Sequence, residues 1–373
     1  MNESGASRPD DLPYHRFSGI VSFSVILCAA LTLFVSYFIP QSVVDPDIWW
    51  HLRDAQYQLH AHTLIYSDLY SFTAHSAPWM NHEWLAELPF YAGWRLAGIR
   101  GIFLISVLAI ELNILGIFYL AYRKARSIHS AFVVSLLGIV LSTVSFGPRT
   151  LLFGWICLIL ELVIFEHIRQ SKYVVWALPL LFVVWVNTHG SWVIGVALLI
   201  LFVLCGCFRI RLQGIQSELW SRDQLKTLCC STAASISVLF INPYGWRLVF
   251  YPFNLAFRQK LNIANVEEWR TLDFHSPRGR IFLAALAMVF LMQVIQHQKW
   301  IVYELIFFYI GVYASFSYTR FLFLAGRLDR GMVQPEYEEQ SDCRQNRSVS
   351  EEPIWLLAGQ EKLRNCLCHD RDA

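Results

Sequence analysis

The stretch GIFLISVLAIELNILGIFYLAY, residues 101–122, decides the fold. It carries one charged side chain, Glu111, and shows no strand-like alternation. At about 1.5 Å of rise per residue, a run of this length crosses a roughly 30 Å hydrocarbon core as a helix. Inside lipid the backbone must satisfy its own hydrogen bonds, and a helix does so within one segment. Similar runs occupy residues 19–39, 131–147, 151–168, 174–186, 191–208, 227–241, 281–296 and 301–317, which makes nine spans, with 174–186 and 227–241 among the shortest. No small-residue cleavage pattern follows the first run, so it reads as an uncleaved anchor rather than a secretory signal.

Composition agrees with that reading. Of 373 residues, 55% are hydrophobic and only 16% charged, against about 25% charged in an average soluble domain, and the mean hydropathy is +0.42. A soluble globular enzyme is excluded. The net charge of +2 gives no basic excess for nucleic acid. The expected fold is all-α: a polytopic transmembrane helical bundle with amphipathic interfacial helices in a large first outer loop.

Lys and Arg are retained in cytoplasmic loops. Loops 123–130, 169–173, 209–226 and 297–300 hold 10 Lys or Arg in 35 residues, whereas 41–100, 148–150, 187–190 and 242–280 hold 10 in 106. The first set is therefore cytoplasmic, as is the N-terminus (1–18), and loops 41–100 and 242–280 lie outside. Neither of these two loops contains cysteine, and no disulfide framework is expected. The transmembrane domain covers 19–326, and 327–373 reads as a polar, disordered tail. SYTRFLFLAG (317–326) reads as a tenth span that begins and stops, as in a truncated or frame-shifted gene end. Cys366, Cys368 and His369 lack a second ligand pair and read as plain tail.

In the first outer loop, DPDIWWHLRDAQYQLH (45–60) and NHEWLAELPFYAGWRLAG (81–98) read as short amphipathic helices. Asp47 is expected to cap the first and Asn81 the second. Trp49, Trp50, Trp79, Trp84 and Trp94 suit a position at the interface. Capping and interface contact leave Asp45, His51, His82 and Glu83 less well explained, because ionisable groups beside the bilayer are costly unless they pair, coordinate or react. Further polar residues recur on the same face: Arg149 in FGPR, Asn187 and His189 in VNTHG, Asn242, Tyr244 and Arg247 in INPYGWR, EEW at 267–269 and Arg320 in SYTR. Carboxylates, imidazoles and arginines together suit an anionic phospho-ligand, with arginine forks on phosphate. Within the spans, Glu111 and Glu161 are the deep charges and are expected to hydrogen-bond between helices as protonated acids. Glu166 and Glu304, near cytoplasmic ends, are expected to reach water.

With these residues laid out, the chain resembles the GT-C superfamily of membrane glycosyltransferases, and within it a bacterial membrane-protein group sharing the themes DPDIWWHL, NHEWLAELPFY, VNTHG and NPYGWRLVFYPF, over roughly residues 45–320. The resemblance implies a GT-C-like arrangement in a bacterial inner (plasma) membrane. It also implies transfer of a sugar from a polyprenyl-phosphate-linked donor to an acceptor on the non-cytoplasmic face. By position, Asp45 or Asp47 would be the acidic residue of the first outer loop, with Asp45 taken as base, and Glu83 the second acidic residue. Arg149, Arg247 and Arg320 would hold the donor phosphate by analogy. The substrate-binding set is completed by His51, His82, Asn187, His189, Asn242 and Tyr244. A divalent metal on the carboxylates with His82 and His189 is left open, because no ligand spacing demands one. Membrane lipid is a partner, and the sugar and acceptor stay unassigned. Two alternatives remain: a transporter or lipid flippase, which would gather its charges nearer the midplane, and a non-catalytic membrane scaffold subunit.

Overall fold

The computed structural model describes residues 23–38, 45–212, 214–258, 269–296, 299–319 and 321–322, all within one compact unit, Met1–Val333. The N-terminus, the tail from 327, Glu267 and Arg320 lie outside the described residues.

Twelve described helices dominate: α1 (Phe23–Phe38), α2 (Asp47–Ala61), α3 (Trp84–Ala97), α4 (Ile99–Ala125), α5 (Ile128–Ser142), α6 (Leu151–His167), α7 (Ala177–Val186), α8 (Trp192–Cys205), α9 (Arg222–Ser237), α10 (Trp246–Arg258), α11 (Pro277–Gln296) and α12 (Val302–Ser317). Among the described residues, three segments are long and apolar enough to span a membrane, Ile99–Ala125, Ile128–Ser145 and Pro277–Ile295. Segments Val25–Phe38, Lys172–Val186, Trp192–Cys205 and Val302–Ser317 are apolar but shorter.

Local chemistry sets the ends. At the close of α4, Arg126 adopts a left-handed conformation (φ 52°) and its amide returns to Tyr122, a common way to satisfy a last carbonyl. The Ser127 side chain then accepts from the Ser130 amide and starts α5. Ser221 and Gln224 form a reciprocal capping box, so α9 begins at Arg222, five residues before the apolar run expected from 227. A small sheet joins Arg211–Leu212, Ile215–Gln216 and Trp300–Ile301, with the first pair antiparallel and the second parallel, and ties the loop after α8 to the start of α12.

Packing follows the apolar faces. One core joins α6, α7, α8, α9 and α12 through Phe165, Phe182, Trp185, Phe202, Leu228 and Tyr303, with Phe165 stacked on Phe202 at 4.1 Å. A second joins α1, α4, α5 and α6 through Leu31, Ile110, Ile114, Ile139 and Leu152. The third holds the first-loop helices to the bundle through Ile48, Leu52, Phe90 and Ile102. There α3 meets α4 glycine to glycine: a Cβ on Gly93 would lie 2.7 Å from the Gly101 carbonyl oxygen, the small-residue contact that lets helix backbones approach closely.

The deep charges divide. Thr32 of α1 donates to Glu111 of α4 at 3.1 Å, a bond between the two helices in which the carboxyl accepts. Glu161 is fully buried and neither carboxyl oxygen finds a partner, which corrects the expectation for it. Glu166 and Glu304 keep 11% and 9% of their side chains exposed, and Lys124, 2.8 Å from each, holds the ends of α4, α6 and α12 together.

Candidate functional site

On α2, Asp47, His51, Asp54 and Gln58 follow at spacings of four, three and four, which places them on one helical face. Glu83 and Glu87, one turn apart at the start of α3, stand opposite. His51 joins the two helices: its Nδ1 lies 3.0 Å from Glu87 Oε1, and its Nε2 lies 3.7 Å from Glu83 Oε2. Glu87 is anchored from behind by Asn81 Nδ2 at 2.8 Å and Gln58 Nε2 at 3.0 Å.

Glu83 is the meeting point of three imidazoles. Besides His51, His82 Nε2 stands 3.5 Å and His189 Nε2 3.4 Å from Glu83 Oε1. Thr150, at the head of α6, donates to Oε2 at 2.9 Å. His189 comes from the turn between α7 and α8, and Gly154 makes room for it, since a Cβ there would lie 3.0 Å from His189 Nδ1. The Ser191 amide donates to that Nδ1 at 3.0 Å. A neutral imidazole that accepts on Nδ1 carries its proton on Nε2, so His189 donates toward Glu83.

Arg149, next to Thr150, completes the cluster. Its Nε lies 2.8 Å from Asp45 Oδ2. Asp45 Oδ1 also accepts from the Asp47 amide at 3.1 Å. That turn is the one expected of Asp47, whose own side chain caps nothing: the residue preceding α2 is Pro46, with no side-chain cap. Asn81 likewise does not cap α3; its Oδ1 accepts from Glu83, just before the helix, while its amide group serves Glu87 and Asp54.

Charge and burial act together on the titrating groups. For Glu83, burial alone would raise the carboxyl, but His82, His189 and His51, with the Thr150 hydrogen bond, outweigh it and hold it down at about 2. For His51, burial would favour the neutral ring, yet the Glu87 hydrogen bond and the charges of Glu83, Glu87 and Asp47 raise it to about 9. Burial and then Asp45 raise Asp47, against the pull of His51 and Arg149. Burial and the neighbouring Glu87 push Asp54 up to about 7.

The other expected site residues are struts. Asn187 Nδ2 donates to Val183 and Ile241 carbonyls and its Oδ1 accepts from Trp84 Nε1, so its side chain ties α7, α3 and the turn before α10. Asn242 closes its own turn, donating to Leu239 and Gly245 and accepting from the Tyr244 amide. Tyr244 Oη donates to the Ile65 carbonyl at 2.9 Å and accepts from the Asn81 amide, pinning the turn before α10 to the segment between α2 and α3. Arg247 is exposed on α10, outside the cluster. Glu87, Asp54 and Thr150 were not singled out by sequence reasoning. The four-residue spacing of Glu83 and Glu87 and the polar face of α2 were the signals that could have found the first two.

Among the described residues, no group of three or more His, Cys, Asp or Glu could hold a metal ion. An apolar groove of about 880 Å³ runs between α3, α6 and α7. Leu85, Ala86 and Thr188, neighbours of Glu83 and His189, line one end, and Ile164 and Ala177 the other. No protein-family model matches the chain, and no curated protein matches it.

Proposed function

We propose that this chain is an integral membrane glycosyltransferase of the GT-C kind. It crosses a bacterial inner (plasma) membrane nine times with its N-terminus in the cytoplasm. It moves a sugar from a polyprenyl-phosphate-linked donor to an acceptor hydroxyl on the non-cytoplasmic face. The observation that carries this reading is that Glu83, Thr150 and His189, joined in one cluster, stand at or just beyond the ends of α3, α6 and α7, the three helices that wall the apolar groove. Along α6 the groove lining runs from Phe153 to Ile164, about 16 Å at the helical rise, which suits a hydrocarbon chain whose head lies among charged groups.

The chemistry asks for a proton acceptor. As the acceptor oxygen bonds to the anomeric carbon and the carbon–oxygen bond to phosphate breaks, the hydroxyl proton passes to a carboxylate. Asp45 is held in its ion pair with Arg149. Asp47, beside it and raised, is the better base of the two. Arg149 supplies a preorganised cation for charge developing on the leaving phosphate.

The test is transfer from a panel of radiolabelled polyprenyl-phosphate sugars in proteoliposomes, with Asp45→Asn, Asp47→Asn and Glu83→Gln beside the wild type. Transfer by the wild type that is lost in the folded variants supports the reading. A wild type that neither transfers nor binds any donor of the panel leaves the transporter or scaffold.

A further inference from the structure

Helix α10 has three chemically distinct sides. Trp246, Phe250, Phe253 and Phe257 are 62%, 52%, 42% and 73% exposed, and at 3.6 residues per turn they fall within an arc of about 60°. Arg247, Asn254 and Arg258 form an adjoining exposed strip. The remaining side faces the protein: Leu248 and Val249 are buried, the Tyr251 ring lies 4.7 Å from the His82 ring, and Pro252 packs over Gly190, where an added Cβ would find it at 3.8 Å.

Four large aromatic side chains in one exposed stripe are more than scattered surface apolars. Their surroundings say what covers them. The turn before α10 is bonded to the end of α7 through Asn187 and the Ile241 carbonyl. The apolar exposure of α7, Leu180 at 69% and Val184 at 41%, ends one turn earlier, and Phe240 and Ile241 are themselves half exposed. The stripe thus continues a lipid-facing surface at the level where that surface stops, flanked by arginines suited to headgroups.

We propose that α10 lies in the outer interface of the bilayer with Trp246, Phe250, Phe253 and Phe257 at the headgroup–acyl boundary, and that it roofs His82 and His189 from that position. The partner is the lipid surface itself, and the assignment stands whether or not the chain transfers sugars. The Glu83 cluster then sits at interface depth, under a roof held from outside by lipid.

Tryptophan emission of the full chain in vesicles tests this. Trp246→Phe isolates the contribution of Trp246 by difference; in that background Phe253→Trp and Asn254→Trp place a reporter on the stripe or on the polar strip. Expected is quenching of the Trp246 and Phe253→Trp signals by phosphatidylcholine brominated near the headgroup end of its chains, with little quenching by aqueous acrylamide. The Asn254→Trp signal should show the reverse. Quenching of all three by acrylamide and none by bromolipid overturns the proposal. So does acrylamide protection that grows with protein density and without bromolipid quenching, which would assign the stripe to a second copy.

Discussion

His51 Nδ1 and Glu87 Oε1 lie 3.0 Å apart, joining the two first-loop helices through a partly buried, charge-assisted hydrogen bond. This pair fixes which way His51 Nε2 points, toward Glu83, and so orders the cluster from behind. Its pH signature is specific. His51 is raised from 6.5 to about 9 in the folded chain, so its stabilisation is complete below pH 6.5 and is lost as pH rises through about 9. At about 1.4 kcal/mol per unit, the effect is about 3.5 kcal/mol at most. Thermal unfolding in micelles should show the midpoint falling across this range, and Glu87→Gln should flatten that part of the curve.

Asp54 gives a signal of the same sign in a lower pH window. Burial and Glu87 raise its carboxyl from 3.8 to about 7. A raised acid holds its proton more tightly when folded, so its contribution declines as pH rises from about 4 to 7. Asp54→Asn keeps an acceptor for Asn81 and removes the charge beside Glu87. The variant should melt above the wild type at pH 8, with the difference vanishing near pH 4.

Transfer assays separate the roles of the Asp45 end. Asp47→Asn is expected to lower kcat by about 10²- to 10⁴-fold, the usual contribution of a positioned base, with donor KM little changed. Arg149→Ala should raise donor KM as well, because it removes a cation and frees Asp45; Arg149→Lys should recover part of the loss by keeping the charge.

Lys124 Nζ lies 2.8 Å from both Glu166 Oε1 and Glu304 Oε1. Lys124→Met takes a shared cation from two poorly solvated carboxylates, and the loss should be about 3–5 kcal/mol, as for a buried pair with one partner removed. Adding Glu166→Gln and Glu304→Gln to the same chain should restore most of it. A urea or thermal series on the three chains reads this directly.

The first-loop helices were legible because their motifs carry local signals: the expected 45–60 and 81–98 correspond to α2 and α3. Span lengths were less so. Apolarity marks where a chain can lie in lipid, whereas helix ends depend on caps such as Ser221 and Gln224, which carry α9 beyond its apolar run. Asn187, Asn242 and Tyr244 share residue type with ligand-binding groups, and only their partners reveal struts. In α10 the four aromatics at spacings of four, three and four were open to view, but a second outer loop read for its polar residues hides a helical face.

What the amino-acid sequence alone determined is the character of each segment: apolar helical runs, two amphipathic helices after the first, and charged residues clustered outside one end. Those are periodic or compositional properties, set by a few neighbouring residues. Which polar groups meet was decided by tertiary structure. Glu83 reaches Thr150 across 67 positions and His189 across a turn between two other helices, contacts that depend on how α3, α6 and α7 pack. Burial then sets the charges: the carboxyl of Glu83 is held low and that of Asp54 high because one is surrounded by imidazoles and the other stands beside a carboxylate.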